Sequence, residues 1–492
     1  MDLKGARSRK NHVHHLVLVP CPLQGHLTPM FHLANLLLSR GFAVTVIQIP
    51  SPSWRSLDCT HPNPSFPSLF FEPIADGVAC DDDASNAGED VMSFLLELNS
   101  KCREPFRDCL DRVASSAPRG CISCLIHDAV MYFPVDVVED LSIPRLVLRT
   151  STAANFLGLS LLDQKGFLPP QGTRLVEMLQ ELPSMRVKDL PLFDKCKQAS
   201  TEEVLIKIHK GTTTASAIIW NTLTCLEQPS LDKISATLSV PIFPIGPLHR
   251  LSAEIMVTWA PENQKIEEGR TGYSAATDEV PRRWAEDRSC IEWLDLHPPG
   301  SVVYVSFGSL VTLSESELTE ISEGLAESGR PFLWVIRARP VNSASLEAIR
   351  ELTNTSKRGK ITSWAPQREV LAHRSVGCFW THSGWNSTLE SMSEGVPMLC
   401  WSYVGDQRII SRLVSGVWKV GLELEVDDGI DSGPLNGSKV ASAIKRIMSD
   451  EEGREMKRKA MALKEQIDVS LRQSGSSRQF LDKLVAFIHQ LA

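Results

Sequence analysis

Short apolar, β-rich runs alternate with amphipathic helical patterns twice along this chain, and that doubled alternation constrains the fold more than any other feature. The first series places strands at 15–20, 42–48, 121–126, 145–148 and 217–220, with helical patterns such as 30–39 and 133–140 between them. Gly41 stands where a helix would stop. Strands that are apolar throughout and joined by helices form a parallel sheet covered on both faces. Residues 241–247 close this half, and 249–288 follow as a charged stretch without steady period. A structureless loop of that length is uncommon inside a compact domain, so it reads as a linker. The second series has strands at 301–307, 332–336, 360–363, 376–381 and 396–402, with helices at 315–327 and near 386–394. The expectation is α/β: two Rossmann-like, doubly wound domains, 1–248 and 289–477, joined by 249–288. The helical patterns at the end of the chain break at Ser474-Gly475-Ser476-Ser477, and the last helix, 478–492, is expected to pack back onto the first domain.

At 492 residues the chain is long enough for two separate cores. Its formal net charge is −8, with acids and bases interspersed and no Lys/Arg cluster, which argues against a nucleic-acid partner. The polar, basic start is followed by an apolar run, 16–19, too short for a signal peptide, and no window reaches the ~18 apolar residues of a membrane span. A cytoplasmic protein without integral membrane association is expected. The twelve cysteines are scattered; Cys121 and Cys124 have CxxC spacing but no second pair at zinc-site distance. Neither opening strand leads into G-x-G-x-x-G, which disfavours a nicotinamide dehydrogenase. Asp81-Asp82-Asp83 could hold a divalent metal, but acidic runs in loops rich in small residues are usually solvated.

In parallel α/β sheets, ligands bind outside the carboxyl ends of the strands. In the second half the strand 376–381 runs into His382-Ser383-Gly384-Trp385-Asn386-Ser387 and a helix. A helix N-terminus with small residues is an anion site, to which His382, Asn386 and Ser387 can add donors. Ser309 points from a neighbouring strand end, and Glu390, one turn into the helix, can accept both hydroxyls of a ribose. Trp364 and the backbone of Ala365 suit a stacked, edge-bonded base, with Gln367 placed for the ribose region.

In the first half, Gln24-Gly25-His26 joins the first strand to the first helix, with Thr28 as a good N-cap and Pro29 as a good first helical residue. His26 then stands at the mouth of the cleft, and Asp128 follows the 121–126 strand on the same edge. A His–Asp pair can take a proton from a hydroxyl. His127 and Asp136 lie close enough in sequence to leave the part of Asp128 in this pair open.

The ordered block from Trp364 to Asp406-Gln407 closely resembles the nucleotide-sugar signature of plant UDP-dependent glycosyltransferases, and the resemblance extends over most of the chain. It implies the GT-B architecture, two Rossmann-like domains facing a cleft. It also implies uracil on Trp364 and Ala365, ribose on Gln367 and Glu390, and diphosphate on His382, Asn386 and Ser387. Sugar hydroxyls would meet Trp385, Asp406 and Gln407. His26 and Asp128 align with the family's catalytic dyad, Gly25 falls in the same loop, and Thr150 aligns with a residue near the sugar. The sequence departs from the family after Gln407, where Arg408-Ile-Ile-Ser-Arg412 replaces a pattern close to x-x-N-A-R.

The reaction so implied is inverting transfer of glucose from UDP-glucose to a hydroxyl of a small lipophilic acceptor, with no cofactor and no metal, by a monomer. A flavonoid or other phenolic acceptor comes first and a terpenoid second. Met92, Phe94, Phe133 and Phe156 are the candidates for its pocket. Transfer of galactose, xylose or rhamnose, C- or N-glycosylation, and a UDP-sugar-binding protein without turnover are the alternatives.

Overall fold

The computed structural model describes residues 14–50, 67–74, 91–115, 122–165, 178–180, 182, 184–190, 198–259, 286–309, 311–336, 358–424 and 435–491. The acidic run Asp81–Asp83, Cys121 and most of the expected linker lie outside these residues.

The first half begins β1 (His15–Val19), α1 (Gln24–Ser39), β2 (Ala43–Gln48), β3 (Leu69–Pro73), α2 (Val91–Ser115) and β4 (Ile122–Asp128). It continues α3 (Pro134–Asp140), β5 (Arg145–Arg149), α4 (Ala153–Lys165), α5 (Gln198–Thr213), β6 (Ala217–Trp220), α6 (Thr224–Thr237), β7 (Ile242–Pro244) and α7 (Leu248–Trp259). Its seven strands are all parallel, in the order β3-β2-β1-β4-β5-β6-β7. β1 is buried along its whole length because helices cover both faces, which is why it reads as an unbroken apolar run.

The second half runs α8 (Ser289–Asp295), β8 (Val302–Ser306), α9 (Glu315–Ser328), β9 (Phe332–Val335), β10 (Gly359–Thr362), α10 (Gln367–Ala372) and β11 (Val376–Thr381). Then come α11 (Trp385–Glu394), β12 (Met398–Cys400), α12 (Gln407–Arg412), β13 (Gly421–Glu423), α13 (Gly437–Ser449), α14 (Glu451–Leu471) and α15 (Ser476–Gln490). Its six parallel strands have the order β10-β9-β8-β11-β12-β13. The strand order reverses between β1 and β4 in one sheet and between β8 and β11 in the other. Those reversals are where a doubly wound sheet opens a crevice for ligands.

Sequence and local physics set the helix ends here. Ser314 accepts from the amide of Glu317 while the Glu317 carboxylate reaches back to the Ser314 amide, a capping box that starts α9. Gly395, at φ 64°, ends α11 in the left-handed conformation that a residue without Cβ adopts cheaply. α15 returns to the first half: Phe487 packs on Phe243 at 5.6 Å between ring centroids, and the Ser477 hydroxyl donates to the Gly246 carbonyl at 2.6 Å. Residues 249–259, at the start of the segment expected to be linker, form the body of α7, with Leu251 fully buried.

One expectation about α1 is corrected. Thr28 and Pro29 are not its N-cap and first residue; the helix starts at Gln24, after Leu23, and Pro29 lies inside it. A proline there has no N–H for the carbonyl four residues back, that of Gly25. The Gly25 carbonyl instead accepts from the Asn386 side chain, at 2.5 Å, across the cleft.

Candidate active site

A cavity of about 700 Å³ lies between the two halves, at both strand-order reversals. His26, just after β1, and Asp128, the last residue of β4, meet there: His26 Nδ1 donates to Asp128 Oδ2 at 2.8 Å. The second Asp128 oxygen accepts from the Val130 amide at 3.0 Å, so the carboxylate is fixed at both ends. Asp128 is fully buried, whereas the His26 side chain keeps 26% exposure toward the cavity. With Nδ1–H engaged, the bare ring nitrogen is Nε2. Burial disfavours the imidazolium, but the charge and hydrogen bond of Asp128 outweigh it, and Asp406 adds to them, so the His26 pKa is raised. Thr150, following β5, places its hydroxyl 3.2 Å from His26 Nδ1.

The two other residues considered for the dyad point elsewhere. His127 bonds its own strand and the Arg145 guanidinium, at 3.0 Å, and burial beside that cation pushes its pKa down to about 3. Asp136 pairs with Arg103 on an exposed surface.

The opposite wall comes from β11 and α11. Ser383, at φ 66°, turns the chain from strand to helix, and Gly384 is the N-cap of α11. The amides of its first turn thus face the cavity side, where His382, Asn386 and Ser387 also lie. The His382 ring lies between Gly308 and Gly384, and a Cβ at either glycine would collide with it. Tyr304 donates to Gln367 Oε1 at 3.1 Å, and Gln367 Nε2 donates to Ser387 at 3.0 Å and to Glu390 at 2.7 Å. Burial raises the Glu390 pKa, while the Gln367 bond and Arg368 oppose the rise. Trp364, Ala365 and Ser309 line the same wall.

Asp406 and Gln407 start α12 and border the cavity. The Gln407 amide oxygen accepts from the Tyr403 and Val404 amides at 2.7 and 3.0 Å, so its NH2 is the group this end can offer. Burial pushes the Asp406 pKa up to about 6 against the pull of His26 and Arg149. The divergent segment after it is not a pocket wall: Arg412 donates to the Ser184 carbonyl at 3.0 Å, and Arg408 reaches the Lys188 carbonyl at 3.4 Å. Nearby, Arg186 bonds Glu423 of β13 at 2.9 Å, so these bonds together strap α12 and β13 to the first half.

Trp385 borders the cavity, and its indole donates to the Asn221 carbonyl at 2.7 Å and stacks on Trp418. Three expectations about side-chain direction differ from the structure. Of the acceptor candidates, only Met92 borders the cavity. Phe133 packs edge-on against Phe106, Phe94 joins that same core, and Phe156 is sandwiched in the core with Trp220 and His209. The apolar lining comes instead from Val91, Met92 and Leu95 on α2, Leu159 on α4, and Leu205 and Ile208 on α5. Sequence reading also missed Arg149, Asn221 and Tyr304. A charged residue ending the apolar run of β5 was the available signal for Arg149.

No group of three or more potential metal-ligating side chains occurs among the described residues, and no helix there is long and apolar enough to cross a membrane. No disulfide joins the described cysteines, and all of them but Cys225 are buried.

Residues 285–466 match the family model described as UDP-glucoronosyl and UDP-glucosyl transferase. UDP-glycosyltransferase 76B1 of Arabidopsis thaliana is 38% identical over 480 residues, 96% of this chain and 97% of that one. The flavonol 3-O-glucosyltransferase UGT76E12 of the same plant is 36% identical, covering 97% of each. Phytolacca americana UGT2, solved with UDP-2fluoro-glucose and pterostilbene, superposes with a TM-score of 0.74 at 25% identity, over 97% of this chain and 100% of that one. With two facing Rossmann-like sheets and similarity over nearly the full length of these enzymes, the chain belongs to the plant family-1 UDP-glycosyltransferases, enzymes of the GT-B fold.

Proposed function

We propose that the enzyme transfers glucose from UDP-glucose to a hydroxyl of a small lipophilic acceptor, phenolic or flavonoid, with inversion. The observation that carries this reading is the His26–Asp128 pair at 2.8 Å, with His26 open to the cavity that Glu390, Asn386 and His382 also border. His26 Nε2 takes the acceptor proton while Asp128 stabilises the resulting imidazolium. The acceptor oxygen forms its bond to the anomeric carbon as the bond to the diphosphate oxygen breaks, and UDP leaves with that electron pair. The α11 amides and His382 stabilise the leaving diphosphate, so no metal or other cofactor is required. Uracil stacks on Trp364, ribose bonds Glu390 and Gln367, and glucose hydroxyls meet Asp406 and Gln407. The named flavonol glucosyltransferase among the relatives supports glucose as the sugar and a phenolic acceptor. A monomer working in the cytoplasm is part of this reading.

The test is incubation of the purified protein with UDP-glucose and a library of hydroxylated aglycones, read by mass spectrometry and by NMR of the anomeric proton. β-Glucosides formed at an unchanged rate in EDTA support the reading. An α-linked product, or a rate abolished by EDTA, would overturn it.

A further inference from the structure

Asn221 follows the last residue of β6, at the carboxyl edge of the first sheet, and is 2% exposed. Each of its polar groups is engaged, and each with a different group. Its amide donates to the Arg149 carbonyl at the end of β5 at 2.9 Å, and its carbonyl accepts from the Trp385 indole at 2.7 Å. Its side-chain oxygen accepts from the Leu248 amide, where α7 begins, at 3.0 Å, and its Nδ2 donates to Asn386 Oδ1 at 3.3 Å. Asn386 Nδ2 in turn donates to the Gly25 carbonyl at 2.5 Å. Asn221 itself does not border the cavity, whereas Asn386 does, beside His382 and Ser387.

An amide side chain has nearly the same shape either way round, so its partners decide which end faces which way. Here both ends of the series are main-chain groups of fixed character. The Leu248 N–H only donates, so it holds the Asn221 oxygen toward α7 and turns the Asn221 NH2 toward Asn386. Asn386 must then present its oxygen to Asn221 and its NH2 to Gly25, whose carbonyl only accepts. The two ends demand the same polarity, one from each side. Gly25 uses one of the two hydrogens on Asn386 Nδ2, and the second is the donor this side chain can offer an anion in the cavity. Turned the other way, Asn386 would set its oxygen against phosphate oxygens, which are acceptors too.

We propose that Asn221 is a positioning residue for the donor diphosphate: it sets the amide of Asn386 so that an N–H, and not an oxygen, meets the phosphate oxygens. This rests on the donor assignment of the transferase reading above. It adds a residue of the first half to the control of a wall built from the second, so that diphosphate recognition depends on the two halves being joined.

The experiment compares UDP with uridine, which lacks the diphosphate, by calorimetry on the purified full chain, with uridine read by displacement against UDP. In Asn221→Ala, UDP affinity should fall by roughly tenfold or more, the range for a hydrogen bond to a charged group, while uridine affinity stays nearly unchanged. Asn221→Asp keeps the residue's size and an oxygen for Leu248 but sets its other oxygen against that of Asn386. It should lose UDP at least as severely and uridine as little. Asn386→Ala removes the side chain that Asn221 orients, so adding Asn221→Ala to it should cost little further UDP affinity, a non-additive pair. Equal losses of UDP and uridine, as a general loosening of the two halves would give, overturn the proposal. So do unchanged UDP affinity in both Asn221 variants and fully additive losses in the double variant. If Asn221→Ala does not fold, Asn221→Asp, alone and combined with Asn386→Ala, decides in the same way. Binding of UDP no tighter than uridine by the intact protein would instead overturn the donor assignment itself.

Discussion

Asn386 Nδ2 donates to the Gly25 carbonyl at 2.5 Å, joining the first turn of the proposed diphosphate-binding helix to the residue before His26. The bond is available because Pro29 has no N–H to offer that carbonyl. Asn221 adds a second strand to the link, donating to Asn386 Oδ1 at 3.3 Å and accepting from the Trp385 indole through its carbonyl at 2.7 Å. Donor wall and catalytic loop therefore share one hydrogen-bonded network. Asn386→Ala should lower kcat as well as raise the KM for UDP-glucose, by about tenfold or more in kcat/KM, since one to two hydrogen bonds are lost. Single-turnover kinetics at saturating donor check it. A pure KM effect would mean that the link to Gly25 does not position His26.

Removing the base should abolish chemistry and spare donor binding. His26→Ala is expected to lose roughly 10²–10⁴-fold in turnover with UDP affinity nearly unchanged. Asp128→Asn should be impaired as well, because an amide can orient the ring but does not stabilise imidazolium. Turnover beside calorimetric UDP titrations separates these effects; near-normal activity of His26→Ala on a hydroxyl acceptor would sink the mechanism.

The pH profile follows from two groups. His26 is a base only when neutral, and its pKa is raised above 6.5, so kcat/KM should climb with pH through a midpoint above that value. Asp406, proposed above to accept from sugar hydroxyls, does so only when ionised, and its pKa near 6 means donor affinity should weaken below about that pH. Gln407→Ala should leave the upper midpoint in place. A profile flat from pH 5 to 9, a span chosen to bracket ordinary histidine titration, would remove His26 as the base.

Glu390 holds its place through Gln367, which Tyr304 holds in turn. Glu390→Ala should weaken UDP binding by about 1–3 kcal/mol, the range for stranding buried polar partners. EDTA should change neither binding nor rate. Calorimetric titration with UDP in the two buffers is the check, and a strict Mn²⁺ requirement would redirect attention to Asp81–Asp83.

The backbone of this site was legible in the sequence because parallel strands buried on both faces are mostly apolar, and β1, β4, β8 and β11 each carry such a run. Their carboxyl ends locate His26, Asp128, Ser309 and His382 without any coordinates. Short edge strands were not legible: β3 ends in a proline, and β13 has three residues. Side-chain direction was not legible either. That Trp385 stacks on Trp418, and that Phe156 packs on Trp220 and does not line the cavity, depends on partners far along the chain. The start of α1 was misread because Pro29 is a favourable first residue by local preference. The bond from Asn386, more than three hundred residues away, makes it equally at home inside the helix.

In the proposed function, sugar selectivity would rest on the Asp406–Gln407 end of the cavity. The Tyr403 and Val404 amides clamp the Gln407 carbonyl oxygen, which fixes its NH2 as a hydrogen-bond donor beside the Asp406 carboxylate, an acceptor. A donor and an acceptor on neighbouring residues match adjacent equatorial hydroxyls. An axial 4-hydroxyl would leave one of the two groups unpaired, at a cost of about 1–3 kcal/mol. UDP-glucose should therefore outperform UDP-galactose by at least roughly tenfold in kcat/KM. Gln407→Ala should lose rate steeply with glucose, through the missing NH2 and through release of the 403–404 turn. Gln407→Glu, which keeps an oxygen for the two amides but replaces the donor, separates those causes: it should preserve thermal stability while still losing glucose transfer. Because Arg408 and Arg412 bond the 184–188 segment and not the cavity wall, their departure from the family pattern should leave this preference intact. Side-by-side kinetics with UDP-glucose, UDP-galactose, UDP-xylose and UDP-rhamnose decide the matter, and a clear preference for any of the last three would overturn the glucose assignment.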